Sequence, residues 1–162
     1  MKTLQTLRLA AASVLALSVA NVYAATATDN VDVTATVVAS CTIAVTPLAF
    51  GNYDPIVVNA GSGADVDSTS TITTTCTKDD GIVTSISDGD NFSTTRRMAN
   101  GGSFLNYGLY RTDYSTVWTD LVGAGTGAAV NTTLLGRIPK GQAATGLSVG
   151  DYTDTLVVTV TF

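Results

Sequence analysis

The side chains able to do chemistry in this chain are mainly aspartates. All 13 acidic residues are aspartate, and the 162-residue sequence contains no histidine. Histidine supplies the proton shuttle of most catalytic triads and the imidazole ligands of many metal sites, so those designs are excluded. Two aspartates could in principle cleave a glycosidic bond, but nothing in the sequence selects a pair. We therefore expect no enzyme activity, no catalytic residue and no cofactor.

Two further groups of residues invite a binding interpretation. Residues 88–91 (DGDN) carry oxygen ligands like the start of a calcium loop, but the later acidic ligand and the full spacing are missing, so a turn is favoured over a metal site. Trp118, Tyr107 and Tyr110 could stack on a sugar, although aromatic residues alternating along a strand more often belong to the core.

Cys41 and Cys76 are the two cysteines of the chain. In an oxidising compartment an even pair predicts a structural disulfide, and these two can only pair with each other. A crosslink closing a loop of about 35 residues contributes roughly 3 to 4 kcal/mol to the free energy of unfolding on the chain-entropy model. Metal-binding thiols are the less favoured alternative, because two thiolates without histidine do not complete a zinc shell.

The N-terminus has the pattern of an export signal. Lys2 and Arg8 precede an apolar run over residues 9–20, and Val22 and Ala24 are the small residues that a signal peptidase reads. The run is shorter than the ~20 residues that a membrane anchor needs. We expect residues 1–24 to be a signal peptide cleaved after Ala24.

Cleavage leaves an acidic protein. Removing Lys2 and Arg8 leaves six basic and 13 acidic residues, a formal charge of 6 − 13 = −7. Such a charge repels phosphate backbones, so nucleic acid is not an expected partner.

The elements that must position these side chains are predicted to be strands. Apolar and polar residues alternate over residues 25–45 and again over residues 152–162, and turn-forming residues separate further short strand-like segments at 68–77, 82–87, 104–111, 114–119 and 131–138. No stretch shows a helical stripe. About seven short strands at this spacing predict an all-β sandwich of the immunoglobulin type in a single domain.

The two ends of the chain leave two interpretations open. In the first, both end strands pair within one self-contained sandwich. In the second, the sandwich is one strand short, and the N-terminal segment fills the equivalent gap in another molecule. Composition and periodicity favour the self-contained sandwich.

Several short motifs together resemble the spore coat U domain family, which includes the pilins of archaic chaperone–usher pili of Gram-negative bacteria. The matching residues are 30–33 (NVDV), 40–43 (SCTI), 48–51 (LAFG), the Cys76 strand, 106–111 (NYGLYR), 136–142 (GRIPKGQ) and 150–162 (GDYTDTLVVTVTF). The LAFG segment after the first cysteine and the alternating end of the chain are the most specific of these.

The resemblance implies an incomplete immunoglobulin-like β-sandwich that lacks its last strand and is completed by a donor strand. Residues 25–40 would be the donor segment and residues 41–162 the pilin domain. Within residues 28–39 the side chains expected to enter the neighbour's groove are Val31, Val33, Ala35 and Val37. The acceptor edge would be the final strand, with Leu156, Val158, Val160 and Phe162 on one side.

The resemblance also implies partners and a location. The chain would be held by a periplasmic chaperone, delivered to an outer-membrane usher, and joined to neighbouring pilin subunits in a pilus on the cell surface. A single domain that carries a donor strand would be a structural subunit supporting attachment and biofilm formation. The alternative function is that of a self-contained secreted β-sandwich that binds carbohydrate or another surface ligand.

Overall fold

The structure, a computed structural model, describes residues 24–162. The predicted signal peptide therefore lies outside the described residues except for Ala24. The chain divides into two units after Ala35. In the first, residues 24–35 form no strand and are exposed. The second, Thr36–Phe162, contains all the regular structure of the described chain.

The described part of the chain is all-β. Its nine strands are joined by turns and one 3-10 turn, Ala144–Gly146. The strands are β1 (Cys41–Val45), β2 (Val66–Cys76), β3 (Gly81–Ile86), β4 (Arg97–Asn100), β5 (Ser103–Asn106), β6 (Gly108–Tyr110), β7 (Leu121–Ala124), β8 (Ala129–Ile138) and β9 (Val158–Thr161).

The strands form two open antiparallel sheets and a hairpin. The first sheet has the order β1-β2-β8-β6, and the second has the order β7-β3-β9. β4 and β5 form the hairpin. The long central pair β2 and β8 runs from Val66 opposite Ile138 to Thr75 opposite Ala129. Neither sheet closes on itself, so β1 and β9 are edge strands.

The core lies between the sheets and the hairpin. Ile72, Leu134 and Ile138 come from the central pair, while Ile86 comes from β3 and Leu105 from β5. Burial alternates along β2 and β8, because successive side chains of a strand point to opposite faces. Thr69, Thr71, Thr73 and Thr75 of β2 occupy the outer face, which suits β-branched residues, whereas Thr74 is buried on the inner face.

Several sequence expectations agree with the observed strands. β2, β3 and β8 coincide within two residues with the predicted segments at 68–77, 82–87 and 131–138. The segment at 104–111 is strand in two pieces, β5 and β6, which are interrupted at Tyr107.

The expectations differ from the structure in three places. Residues 25–40 alternate but belong to no strand, and residues 114–119 contribute only an isolated bridge between Val117 and Tyr110. Residues 152–157 form no strand and contribute only an isolated bridge between Thr153 and Ala99, so the predicted end strand is reduced to β9. An alternating pattern forms a strand only where a neighbouring edge provides a run of hydrogen-bonding partners, and no strand forms a continuous ladder with these segments in the described chain. The sequence does not predict β4 (RMAN) or β7 (LVGA), because neither short segment shows an alternation of apolar and polar residues.

No helix among the described residues has the length and apolar character required to span a bilayer.

Candidate strand-acceptor groove

Two edge strands face a gap in the sandwich. β1 pairs only with β2 in the described chain, and β9 pairs only with β3. β1 and β9 contact each other but share no hydrogen-bonded ladder. The backbone groups on the outer side of each edge are therefore free to bind another strand.

An open cavity runs along the gap. One part of about 460 Å³ is lined by Val45 and Leu48 on one side and by residues 152–156 and Val158 on the other. A second part of about 600 Å³ lies beside it, between residues 48–53 and residues 147–152. Four apolar side chains line both parts: Leu48, Phe50, Met98 and Tyr152. We call these two cavities together the groove.

The groove exposes part of the hydrophobic core. Leu48, Phe50, Met98, Tyr152, Leu156 and Val158 are only partly buried, although all pack against the fully buried core. A complete sandwich covers such side chains with a further strand. The core of this chain therefore has an uncovered apolar strip between its two sheet edges.

Gly136 allows the floor of the groove to form. A Cβ atom at Gly136, in β8, would lie 2.7 Å from a Leu48 methyl carbon and 2.8 Å from the Phe50 ring. The two side chains can lie flat on the sheet only because this position has no side chain. Phe50 continues the packing towards Tyr107, with ring centroids 6.0 Å apart.

The segment before β9 forms one wall of the groove and is bound on its far side. Thr153 forms a pair of backbone hydrogen bonds with Ala99 of β4. The Asp90 amide donates to the Thr155 carbonyl over 3.3 Å, and the Ser87 hydroxyl accepts from the Val157 amide at 2.9 Å. These hydrogen bonds hold the wall in an extended form on the side away from the groove. Its other side faces the groove.

A buried tyrosine joins the floor to this wall. The Tyr107 hydroxyl donates to Asp154 Oδ2 over 2.6 Å. Burial raises the pKa of Tyr107, and the hydrogen bond to Asp154 and its negative charge raise it further, since both oppose the phenolate. Tyr107 therefore stays a neutral donor to the carboxylate.

The disulfide ties the other wall to the sheet. Cys41, the first residue of β1, is bonded to Cys76, the last of β2, which confirms the predicted pairing. Beyond the disulfide, the Thr77 amide donates to the Ser40 carbonyl at 2.9 Å. The edge strand β1 and the residue before it are thus attached at one end of the groove.

The structure places the predicted acceptor residues as follows. Leu156, Val158 and Val160 are half-buried and alternate with exposed residues, whereas Phe162 is 54% exposed. Leu156 and Val158 line the groove. The predicted donor residues are all exposed, with 86% for Val31, 89% for Val33 and 83% for Val37, and Ala35 is exposed as well.

The sequence pattern does not identify several groove residues. Leu48 and Phe50 stand out only as part of the LAFG motif, and nothing in the pattern links Met98, Tyr107 and Tyr152 to the groove. Their signal was weak, since a half-exposed apolar residue in a loop has no periodicity to identify it.

The other candidate sites resolve into structural roles. Trp118 and Tyr107 are each 6% exposed, so they belong to the core and offer no open face to a sugar. Residues 88–91 form a turn in which the Asn91 amide and side chain both bind Asp154. Arg96 and Asp88 form an ion pair of 3.0 Å beside that turn.

The two open antiparallel sheets resemble the fold of one chain in a solved pilus-assembly complex. A solved structure of the chaperone–tip adhesion subunit pre-assembly complex CsuC–CsuE, from the archaic chaperone–usher Csu pili of Acinetobacter baumannii, contains a similar chain. The TM-score is 0.56 at 21% identity, over 78% of this chain. The match spans 40% of the length of the solved chain.

The sequence comparison identifies the family. Residues 27–159 match the model of the Spore Coat Protein U domain, so the chain belongs to that family. Protein U of Myxococcus xanthus is 36% identical over 172 residues, an alignment that covers 94% of this chain and 93% of the relative. This is the family that the sequence motifs indicated.

Proposed function

We propose that this protein is a structural subunit of a surface pilus, assembled by donor-strand exchange. Residues 28–39 of one subunit occupy the groove of the next and complete its sandwich. The observation that carries the proposal is the uncovered apolar strip between β1 and β9, two edges without an outer partner in the described chain. An extended peptide that adds to such an edge gains backbone hydrogen bonds and side-chain burial together.

The donor segment has the composition that this role requires. Val31, Val33, Ala35 and Val37 are separated by polar residues, so a strand over this segment presents one apolar face. Each valine moved from water into the groove contributes about 1.5 to 3 kcal/mol before ordering costs. Ala35 contributes less because its side chain is small.

The proposed partners follow from the exposed groove. A subunit that reaches the periplasm with an uncovered core strip is prone to aggregate, so a chaperone must cover the groove until assembly. The similar solved chain comes from a complex with a chaperone, which supports this step. We place the assembled subunit on the cell surface, after export through the periplasm and an outer-membrane usher, in a pilus supporting attachment and biofilm formation.

The decisive experiment compares two variants, each of which adds one charge, on opposite faces of the donor strand. We expect Val33→Asp to reduce multimer formation by more than about 100-fold, because an unpaired carboxylate would be buried in the groove. Thr34→Asp is the matched control, since it adds the same charge on the face predicted to point to solvent. The measurement is the ladder of multimers on unheated denaturing gels, together with light scattering of the purified mature chain.

The two outcomes separate the proposal from a self-contained binding domain. Multimers that are lost with Val33→Asp and kept with Thr34→Asp support strand exchange. If both variants assemble as the unaltered chain does, or if the unaltered chain remains a stable monomer without a chaperone, strand exchange is wrong.

A further inference from the structure

Asp154 is the centre of a hydrogen-bond network inside the groove wall. Its Oδ1 accepts from the Asn91 amide and from Asn91 Nδ2, both at 3.1 Å, while its Oδ2 accepts from Tyr107. The donors come from the loop after β3 and from the connection between β5 and β6. One carboxylate thus joins three separate parts of the domain.

The loop after β3 is shaped to admit this carboxylate. Gly89 has φ of +96°, and a Cβ atom at this position would collide with the carboxylate of Asp154. Asn91 Nδ2 also donates to the Thr153 carbonyl over 3.2 Å. The loop therefore holds both the side chain of Asp154 and the backbone beside it.

The network acts where the wall lacks a continuous ladder. Residues 158–161 are paired with β3, but at residues 153–157 the support consists of one bridge to Ala99 and scattered hydrogen bonds. A strand can add to an edge only when the backbone groups of that edge keep the regular spacing of a ladder. This part of the wall therefore depends on side chains for its position.

We infer that Asp154, held by Tyr107 and Asn91, is a positioning residue that sets the groove wall at the distance required to receive a donor strand. The inference rests on the proposed function. It adds that the hydrogen bond from Tyr107 to Asp154 couples the position of the wall to that of the groove floor. Loss of the Tyr107 hydroxyl should then speed dissociation of the donor strand even when the domain remains folded.

The test uses the mature chain carrying Val33→Asp, so that its own donor strand does not compete. The probe is a fluorescent synthetic peptide with the sequence of residues 28–39, and the readout is its release rate. We expect Tyr107→Phe to speed release by about tenfold or more, because a hydrogen bond to a charged group is lost. Ser115→Ala is the matched control, since it also removes a hydroxyl that donates to a carboxylate, that of Asp113 at 2.7 Å, and Ser115 does not line the groove. Release should change by less than about twofold in this control.

A second variant keeps the test valid if Tyr107→Phe misfolds. Asn91→Ala removes the side-chain bonds to Asp154 and Thr153 but leaves the core unchanged, and it should also speed release. Heat denaturation of the empty and peptide-loaded forms separates positioning from general stability. A positioning role lowers the loaded form's midpoint more than the empty form's.

Each result has one meaning. Faster release from Tyr107→Phe and Asn91→Ala, but not from Ser115→Ala, supports the inference. Unchanged release from Asn91→Ala and a folded Tyr107→Phe, or from Asn91→Ala alone if Tyr107→Phe misfolds, overturns the inference and leaves strand exchange standing. If the parent chain takes up no peptide, the groove is not an acceptor and the proposed function fails together with the inference.

Discussion

Gly136 is the residue at which packing and the proposed function are most closely connected. It lies in the central strand β8, where glycine is normally unfavourable because it has no side chain to pack. Here the space is filled by Leu48 and Phe50, which form the groove floor. The absence of a methyl group at one position thus decides the depth of the groove.

We expect Gly136→Ala to weaken binding of the donor peptide by about tenfold. The added methyl group must displace the ends of two flexible side chains, so Leu48 and Phe50 move into the groove and occupy donor space, at a strain of about 1 to 3 kcal/mol. Peptide titration by fluorescence measures the effect. Gly61→Ala is the control, because no atom lies within 4 Å of the added carbon and its backbone has ordinary geometry. Equal affinity in the two variants would contradict this account of the floor.

Asp113 shows how a single turn depends on pH. Its carboxylate accepts from the Ser115 hydroxyl at 2.7 Å, the Ser115 amide at 2.8 Å and the Thr116 amide at 2.7 Å. The Ser115 hydroxyl and then the two amides lower the pKa of Asp113 from 3.8 to about 2. The charged form is therefore the one that stabilises the turn.

We expect Asp113→Ala to lower the urea midpoint at neutral pH, and the difference from the unaltered chain to vanish on acidification. The folded pKa of about 2 lies below the unfolded value of 3.8, so the stabilisation is complete above the unfolded value. It is lost as the pH falls from the unfolded pKa through the folded pKa. Urea titrations between pH 6 and pH 2 measure it. A difference that persists unchanged at pH 2 would show that the charge is not responsible.

At the scale of the element, the edge strand β1 has two attachments to the sheet. The ladder with β2 pairs Cys41 opposite Cys76 and Val45 opposite Ile72, and the disulfide closes the end of that ladder. An edge strand of five residues, paired on one side, is otherwise easily lost.

We expect removal of the disulfide in the Cys41→Ser, Cys76→Ser double variant to reduce the free energy of unfolding by roughly 3 to 4 kcal/mol, because the unfolded chain is no longer constrained over a separation of 35 residues. Guanidinium unfolding measures the loss, and peptide uptake should fall with it as β1 frays. Reductant serves as the control, since it should destabilise the unaltered chain and leave the double variant unchanged. Equal stability with and without the crosslink would contradict the prediction.

At the scale of the whole molecule, charge opposes the proposed assembly. The predicted mature chain carries a formal charge of −7, so like-charged subunits repel before the donor strand meets the groove. The donor segment itself carries Asp29 and Asp32. The partly buried side chains of the apolar strip carry no charge, so the repulsion acts on the approach of subunits more than on the contact with this strip.

We expect assembly of the mature chain to accelerate as sodium chloride rises from about 10 mM to about 150 mM, because the screening length falls from about 30 Å to about 8 Å. Time-resolved light scattering measures the rate. The Val33→Asp variant is the control for salt-induced aggregation, because it should remain unassembled throughout. A rate that falls with added salt would show that attraction between charges drives the encounter.

The sequence by itself determined the class of fold and its crosslink. Alternation along β2, β3 and β8 predicts strands because side-chain direction in a strand repeats every two residues, which is a local property. The pairing of Cys41 with Cys76 needed only their number and an oxidising compartment. The family motifs then indicated an incomplete sandwich, which periodicity alone did not favour.

The tertiary structure decided where the groove lies and what supports it. Leu48 and Phe50 rest on Gly136, and Tyr107 reaches Asp154, through contacts between segments far apart in sequence. Such contacts depend on the register of several strand pairs at once, and no local pattern encodes that register. For the same reason residues 25–40 alternate like a strand yet form none, because strand formation requires a neighbouring edge as well as a suitable sequence.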